Sequence, residues 1–135
     1  MNSEIKSFRD LIVWKKAMQL CREVYTATRL YPDNERFGLT AQSRRSAVSV
    51  PSNIAEGYGR NRTNDYLRFL AVARGSLYEL DTQLQLGTDL SFGEQLRLQE
   101  CATLLQEVDR MLNALIRSVE VGSRSERPER GHEID

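Results

Sequence analysis

An all-α chain folded as an antiparallel up-down-up-down four-helix bundle, with a kink at Pro51 in its second helix, follows from three features of the sequence. Apolar residues recur in steps of three and four, the spacing of one helix face, and no segment alternates apolar and polar residues for long enough to argue a strand. Proline is confined to Pro32, Pro51 and Pro128, which leaves long stretches free of breakers. Helices of about 20 to 30 residues, about 30 to 45 Å long, joined by only a few residues each must reverse direction at every connection.

The first stripe is Leu11, Trp14, Met18, Cys21, Tyr25 and Thr28. It ends at Leu30-Tyr31-Pro32, because proline disfavours helical geometry in the residue before it. Asp33 or Asn34 can then accept hydrogen bonds from the free amides of a second helix. That helix, from Glu35 to Gly57, has sparse apolar residues (Phe37, Leu39, Ala41, Ala47, Val48, Val50, Ile54, Ala55) interleaved with Thr40, Ser43, Ser46, Ser49 and Ser52. Its small side chains allow close backbone approach. Pro51 deletes the bond to the Ala47 carbonyl and predicts a kink rather than an end, since Ile54 and Ala55 continue the spacing and Gly57-Tyr58-Gly59 supplies a stop.

Thr63 is the expected cap of the third helix, with Asp65 in its first turn suiting the positive end of the helix dipole. The third stripe is Tyr66, Leu70, Ala73, Leu77, Leu80, Leu84 and Gly87; Phe69 and Val72 lie off it and suggest a second contact surface. Ser91 and Glu94 have capping-box spacing, and the fourth stripe runs Leu98, Cys101, Leu105, Val108, Leu112, Leu115 and Val119. Residues 1–121 therefore read as the bundle. Residues 122–135 have one apolar residue, Ile134, cannot offset their ordering entropy, and read as a disordered tail.

Composition narrows the function. A chain of 135 residues, 40% hydrophobic, makes one domain, and at this length it buries roughly two-thirds of its unfolded surface without a disulfide or metal. Cys21 and Cys101 match no zinc or thioredoxin spacing, and both fall on apolar stripes, where they read as small buried hydrophobes. The one histidine, His132, lies in the expected tail, which argues against histidine-based triads and metal centres; a di-iron bundle would need paired Glu-x-x-His motifs. No catalytic residue, metal ligand or cofactor is assigned. The start MNSEIKSFRD has no apolar signal region and no apolar run approaches the roughly 20 residues of a membrane span, so a soluble protein of the reducing cytoplasm, with no membrane partner, is expected.

The 19 basic and 19 acidic side chains are unevenly placed. Residues 36–74 hold seven basic and two acidic groups (+5), and residues 75–121 three basic and eight acidic (−5). In the basic segment stand Arg44, Arg45, Arg60, Arg62, Arg68 and Arg74, whose forked guanidinium groups match phosphate geometry. Tyr58 and Tyr66 lie among them as stacking surfaces for unpaired bases. Three readings stay open: a solvated or internally paired face, a nucleic-acid surface, and a dock for an acidic protein. Gly57-Tyr58-Gly59 lacks the strand and the Gly-Lys-Ser/Thr ending of a phosphate loop and reads as a helix stop; Glu56 and Asp65, among arginines, read as ion pairs or caps. Trp14 reads as core, with a subunit interface as the alternative.

The chain carries an ordered series of motifs: Phe8-Arg9-Asp10-Leu11 with Val13-Trp14-Lys15-Lys16-Ala17, then Tyr31-Pro32 and Glu35-Arg36-Phe37-Gly38-Leu39-Thr40. This series resembles the four-helix bundle proteins encoded in intervening sequences of bacterial 23S ribosomal RNA genes. Gln42-Ser43-Arg44-Arg45-Ser46-Ala47, Ser49 to Gly57 and Gly59-Arg60 resemble the family's central signature, and Ala73 to Leu80 its third-helix pattern. The resemblance covers about residues 8 to 120, and the family includes the accessory variability proteins of diversity-generating retroelements. It implies a ring-like homopentamer with no established catalytic activity; in the retroelement branch the protein binds nucleic acid and a reverse transcriptase, largely through basic surface. Arg44, Arg45, Arg60 and Arg74 match positions where the family pattern is basic. The expected function is thus a non-enzymatic homo-oligomer that offers Arg44, Arg45, Arg60, Arg62, Arg68 and Arg74 to RNA or DNA, with Trp14, Phe69 and Val72 at subunit contacts. The alternative is a scaffold that docks a protein such as a reverse transcriptase without touching nucleic acid.

Overall fold

The computed structural model describes residues 4–126 and is all-helical over them, with four long helices and no strand. They are α1 (Ile12–Thr28), α2 (Leu39–Tyr58), α3 (Thr63–Asp89) and α4 (Gln95–Glu126). Consecutive helices lie side by side and α4 closes against α1, so the four surround one core, with no close backbone approach between the diagonal pairs. Leu20, Val24, Val50, Ile54, Leu70, Leu77, Leu80, Val108 and Leu112 fill it. Arg74 of α3 bonds Asn113 of α4, and Tyr78, four residues later, bonds Asp109, four residues earlier; that order is the one expected of helices running opposite ways.

The stripes of α3 and α4 are buried as expected, apart from half-exposed Tyr66, Leu115 and Val119; Ile116 completes α4. In α1 the core face is rotated from the expected one. Val13, Ala17, Leu20, Val24 and Ala27 are buried, while Trp14, Met18 and Cys21 lie on the flank and Tyr25 is exposed. Both sets have helical spacing, and the set without the bulky Trp14, Met18 and Tyr25 is the one buried where α1 packs on α2 and α4.

Three helix starts differ from expectation. A single 3₁₀ turn at Asp33–Glu35 precedes α2, which begins at Leu39 rather than Glu35. Its capping acceptor is neither Asp33 nor Asn34 but Glu35, whose Oε1 accepts from the Leu39 amide at 2.9 Å, placing a carboxylate at the positive helix end. At α3 the cap position is Arg62, without a side-chain bond, and Thr63 is the first helical residue. The Ser91–Glu94 box does not form. Ser91 instead terminates α3: the Ser91 amide donates to Thr88 O (3.0 Å) and the Phe92 amide to Gly87 O (2.9 Å), the paired bonds of a Schellman motif. Ser91 accordingly takes φ 61°. A capping box does occur at the 3₁₀ turn Phe8–Asp10, between Ser7 and Asp10; the two backbone bonds to the Asp10 carboxylate hold its pKa below the ordinary value.

α2 runs through Pro51 and stops at Tyr58, where the Gly59 amide donates to Ala55 O at 3.3 Å. Its composition is poor for a helix: an interior proline costs about 3 kcal/mol and a glycine about 1 kcal/mol. Packing outweighs this, because Val50 and Ile54 are fully buried and such side chains contribute about 1.5–3 kcal/mol each. Buried Ser43, Ser46, Ala47 and Gly57 keep α2 close to its neighbours, and Ser49 and Ser76 hydrogen-bond at 2.7 Å across the α2–α3 seam. α4 continues past residue 121 to Glu126; the rest of the expected tail, 127–135 with His132, lies outside the described residues.

Candidate nucleic-acid interface

The α2–α3 turn gathers three of the six arginines. Arg60, Arg62 and Arg68 are exposed there, and the guanidinium groups of Arg60 and Arg68 lie 4.7 and 5.3 Å from the centre of the Phe69 ring. Each also holds a nearby carboxylate: Arg60 to Glu56 at 2.6 Å and Arg68 to Asp65 at 2.9 Å. Arg62 has no ion pair or hydrogen-bonding side-chain partner among the described residues. Tight packing fixes the turn, since a Cβ on Gly57 would lie 2.8 Å from Phe69 Cβ and 3.1 Å from Tyr66 Cδ1.

The other three arginines stand elsewhere. Arg44 donates through Nε to Thr28 Oγ1 (2.8 Å) and through Nη2 to Tyr25 O (3.3 Å), and lies over the Tyr25 ring, so it ties α2 to α1. Arg45 beside it is exposed and, fifteen residues from Arg60, is about 22 Å away along the helix axis. Arg74 is half-buried and donates to Asn113 Oδ1 at 2.8 Å; Asn113 donates in turn to Asp109 Oδ1, which also accepts from Tyr78. The +5 segment is therefore spread over both ends and one seam of the bundle.

Tyr58 and Tyr66 meet edge to face at 6.1 Å. Tyr66 is half-buried, its hydroxyl has no hydrogen-bond partner among the described residues, and burial, with a smaller effect of Tyr58, pushes its pKa up to about 12. Its ring supports the turn more than it offers a stacking face, while Tyr58 is half-exposed. Of the three residues expected at subunit contacts, Trp14 packs edge-on against Phe8 at 5.3 Å and against the core, Phe69 is half-buried beneath its two arginines, and Val72 is exposed. Phe37, read from the sequence as part of the second helix, is instead 86% exposed on the connection before it. Hydrophobic spacing carries no signal for that placement.

Among the described residues no cluster of three or more His, Cys, Asp or Glu side chains could hold a metal ion. Cys101 is buried, and burial, reinforced by Glu23 and Glu100, pushes its thiol up to about 12. No helix among the described residues is long and apolar enough to cross a membrane.

These features define a small all-helical bundle protein whose signature residues build helix seams and one arginine-rich turn. The chain belongs to the 23S rRNA-intervening sequence protein family, whose sequence profile matches residues 9–114. It is also similar in fold to the crystal structure of a protein of unknown function from the S23 ribosomal protein family of Bacteroides thetaiotaomicron, at TM-score 0.71 and 20% identity, over 78% of this chain and 96% of that one. Comparison with curated proteins finds no match.

Proposed function

We propose that the chain is a non-enzymatic, cytoplasmic bundle that assembles into a homopentamer and binds RNA or DNA through the arginines of its α2–α3 turn. The grouping of Arg60, Arg62 and Arg68 on one exposed turn carries this reading. Their carboxylate partners are exposed too, and such pairs are worth about 0–1 kcal/mol, so exchanging a carboxylate for a phosphate costs little. A ring would present several copies of the turn together, and avidity would raise a weak single contact. Arg45 is the remaining exposed candidate, and Arg44 and Arg74 contribute through the helices they join.

Filter binding of structured RNA and of duplex DNA across a salt series tests the reading. Affinity should fall as salt rises, with a slope of about 0.9 for each phosphate contact on duplex DNA. The variant Arg60→Ala/Arg62→Ala/Arg68→Ala should weaken binding and flatten that slope; equal affinity in variant and parent would place the surface elsewhere.

A second reading, suggested by the resemblance to a family that includes accessory variability proteins of retroelements, is a scaffold that docks a reverse transcriptase. Exposed Val48 and Val72, on the adjacent helices α2 and α3, favour a protein contact. Co-purification of a polymerase that survives nuclease treatment, with no retained nucleic acid, would select it.

A further inference from the structure

Phe37 and a groove on the opposite flank of α1 form a complementary pair that one chain cannot bring together. Phe37 stands 86% exposed on the α1–α2 connection, with the Arg36 guanidinium 5.4 Å from its ring centre. Neighbouring Glu35 is turned inward to the Leu39 amide, so Arg36 and Phe37 project as a cation beside an aromatic ring. Large apolar side chains held out in this way mark contact sites. The groove, about 570 Å³, lies between α1 and α4. Leu104, packed on the core, lies at its base and Leu96, 74% exposed, at its rim; Gln19, Gln99 and Thr103 line it as well, and Glu23 and Glu100 give it acidic sides with no cationic partner among the described residues.

We propose that Phe37 of one copy seats in the Leu96–Leu104 groove of the next, with Arg36 paired to Glu23 and Glu100. This deepens the homo-oligomer reading and rests on it. The occupant is a second copy because the knob's Arg36 cation, set beside an exposed ring, complements the two carboxylates and two leucines of the groove. The knob sits between α1 and α2 and the groove between α1 and α4, so the contact is head-to-tail, and its closure depends on the height of the two parts. Tyr31 packs on Phe92 with ring centres 5.4 Å apart, which brings the α1–α2 and α3–α4 connections to one end of the bundle. Knob and groove share that end. The shared end keeps the translation between successive copies small, which is the condition a closed ring requires of a head-to-tail contact. The more apolar groove of about 630 Å³ near Ile12, Met111 and Leu115 would shift each copy by about 28 Å, the rise from Leu96 to Leu115, and would build an open chain.

Sedimentation velocity of the full chain tests this, with far-UV circular dichroism confirming the fold of each variant. The parent should be a closed oligomer. Phe37→Glu, at a site with almost no intrachain burial, should weaken association at least about 30-fold, the scale of an interface hot spot. Arg36→Glu and Glu100→Arg should each weaken it, and the double variant should recover most of the loss. Ile12→Glu should leave association unchanged. An oligomeric parent whose assembly survives Phe37→Glu overturns this contact and leaves the homo-oligomer reading standing; a monomeric parent overturns both.

Discussion

At Ser91 the backbone takes φ 61°, a geometry that costs a residue with a Cβ about 1–2 kcal/mol and glycine little. Ser91→Gly should therefore raise stability by about 1 kcal/mol, read as a higher urea midpoint at unchanged slope. Glycine elsewhere gives opposite signs for one substitution. Gly57→Ala places a methyl 2.8 Å from Phe69 Cβ and 3.3 Å from Tyr66 O, so α2 and α3 must separate, at a cost of about 1–3 kcal/mol. Gly75→Ala, with nothing within 4 Å, should stabilise α3 by about 1 kcal/mol. Thermal unfolding of the two variants side by side checks both signs. From sequence alone Gly57 reads as part of a stop signal; that its missing side chain admits Phe69 depends on the α2–α3 seam.

At the scale of elements, the arginines divide by what they join. Arg74 links α3 to α4 through Asn113 and Asp109, and Arg44 links α2 to α1 through Thr28 and Tyr25. Arg74→Ala and Arg44→Ala should each cost about 1–3 kcal/mol, because they strip charge-assisted bonds from partly buried acceptors. Arg62→Ala should stay within about 0.5 kcal/mol. Urea denaturation of the three variants separates structural arginines from free ones before any binding assay is interpreted. Helix periodicity is legible wherever one stripe is purely apolar, as in α3 and α4. It misplaces the core face of α1, where Val13, Ala17 and Leu20 compete with an equally periodic set that includes Trp14 and Cys21. It misses the Glu35 cap, because a carboxylate four residues upstream reaches the Leu39 amide only after the chain makes its 3₁₀ turn.

Across the described residues of the molecule, burial favours the neutral forms of four groups, Cys21, Cys101, Tyr31 and Tyr66. Cys101 is raised from 9.0 to about 12, and Tyr31 and Tyr66 from 10.0 to about 12. Between pH 9 and 12 the unfolded chain releases protons that the folded chain keeps, so this contribution to stability is complete below pH 9 and is lost as pH rises towards 12. Unfolding free energies measured from pH 8 to 11.5 should decline above 9, and Tyr31→Phe should reduce the decline above 10. Charge acts at the same scale. Of the four ion pairs among the described residues only Lys16–Glu107 joins two helices; the other three are local to a helix and its approach. The opposed +5 and −5 segments are thus largely uncompensated across helices within one chain, and sedimentation in rising salt should show an assembly that weakens.

The sequence by itself determined the number and order of the helices, their helix-forming stretches and the ends marked by Tyr31-Pro32 and Gly57-Tyr58-Gly59. These depend on local spacing and on backbone rules that hold in any context. Tertiary structure decided which arginines are free, which stripe of α1 faces inward, and that Phe37 faces solvent. Those outcomes depend on neighbours distant in sequence: Thr28 for Arg44, Asn113 for Arg74, and the space left between α2 and α4 for α1.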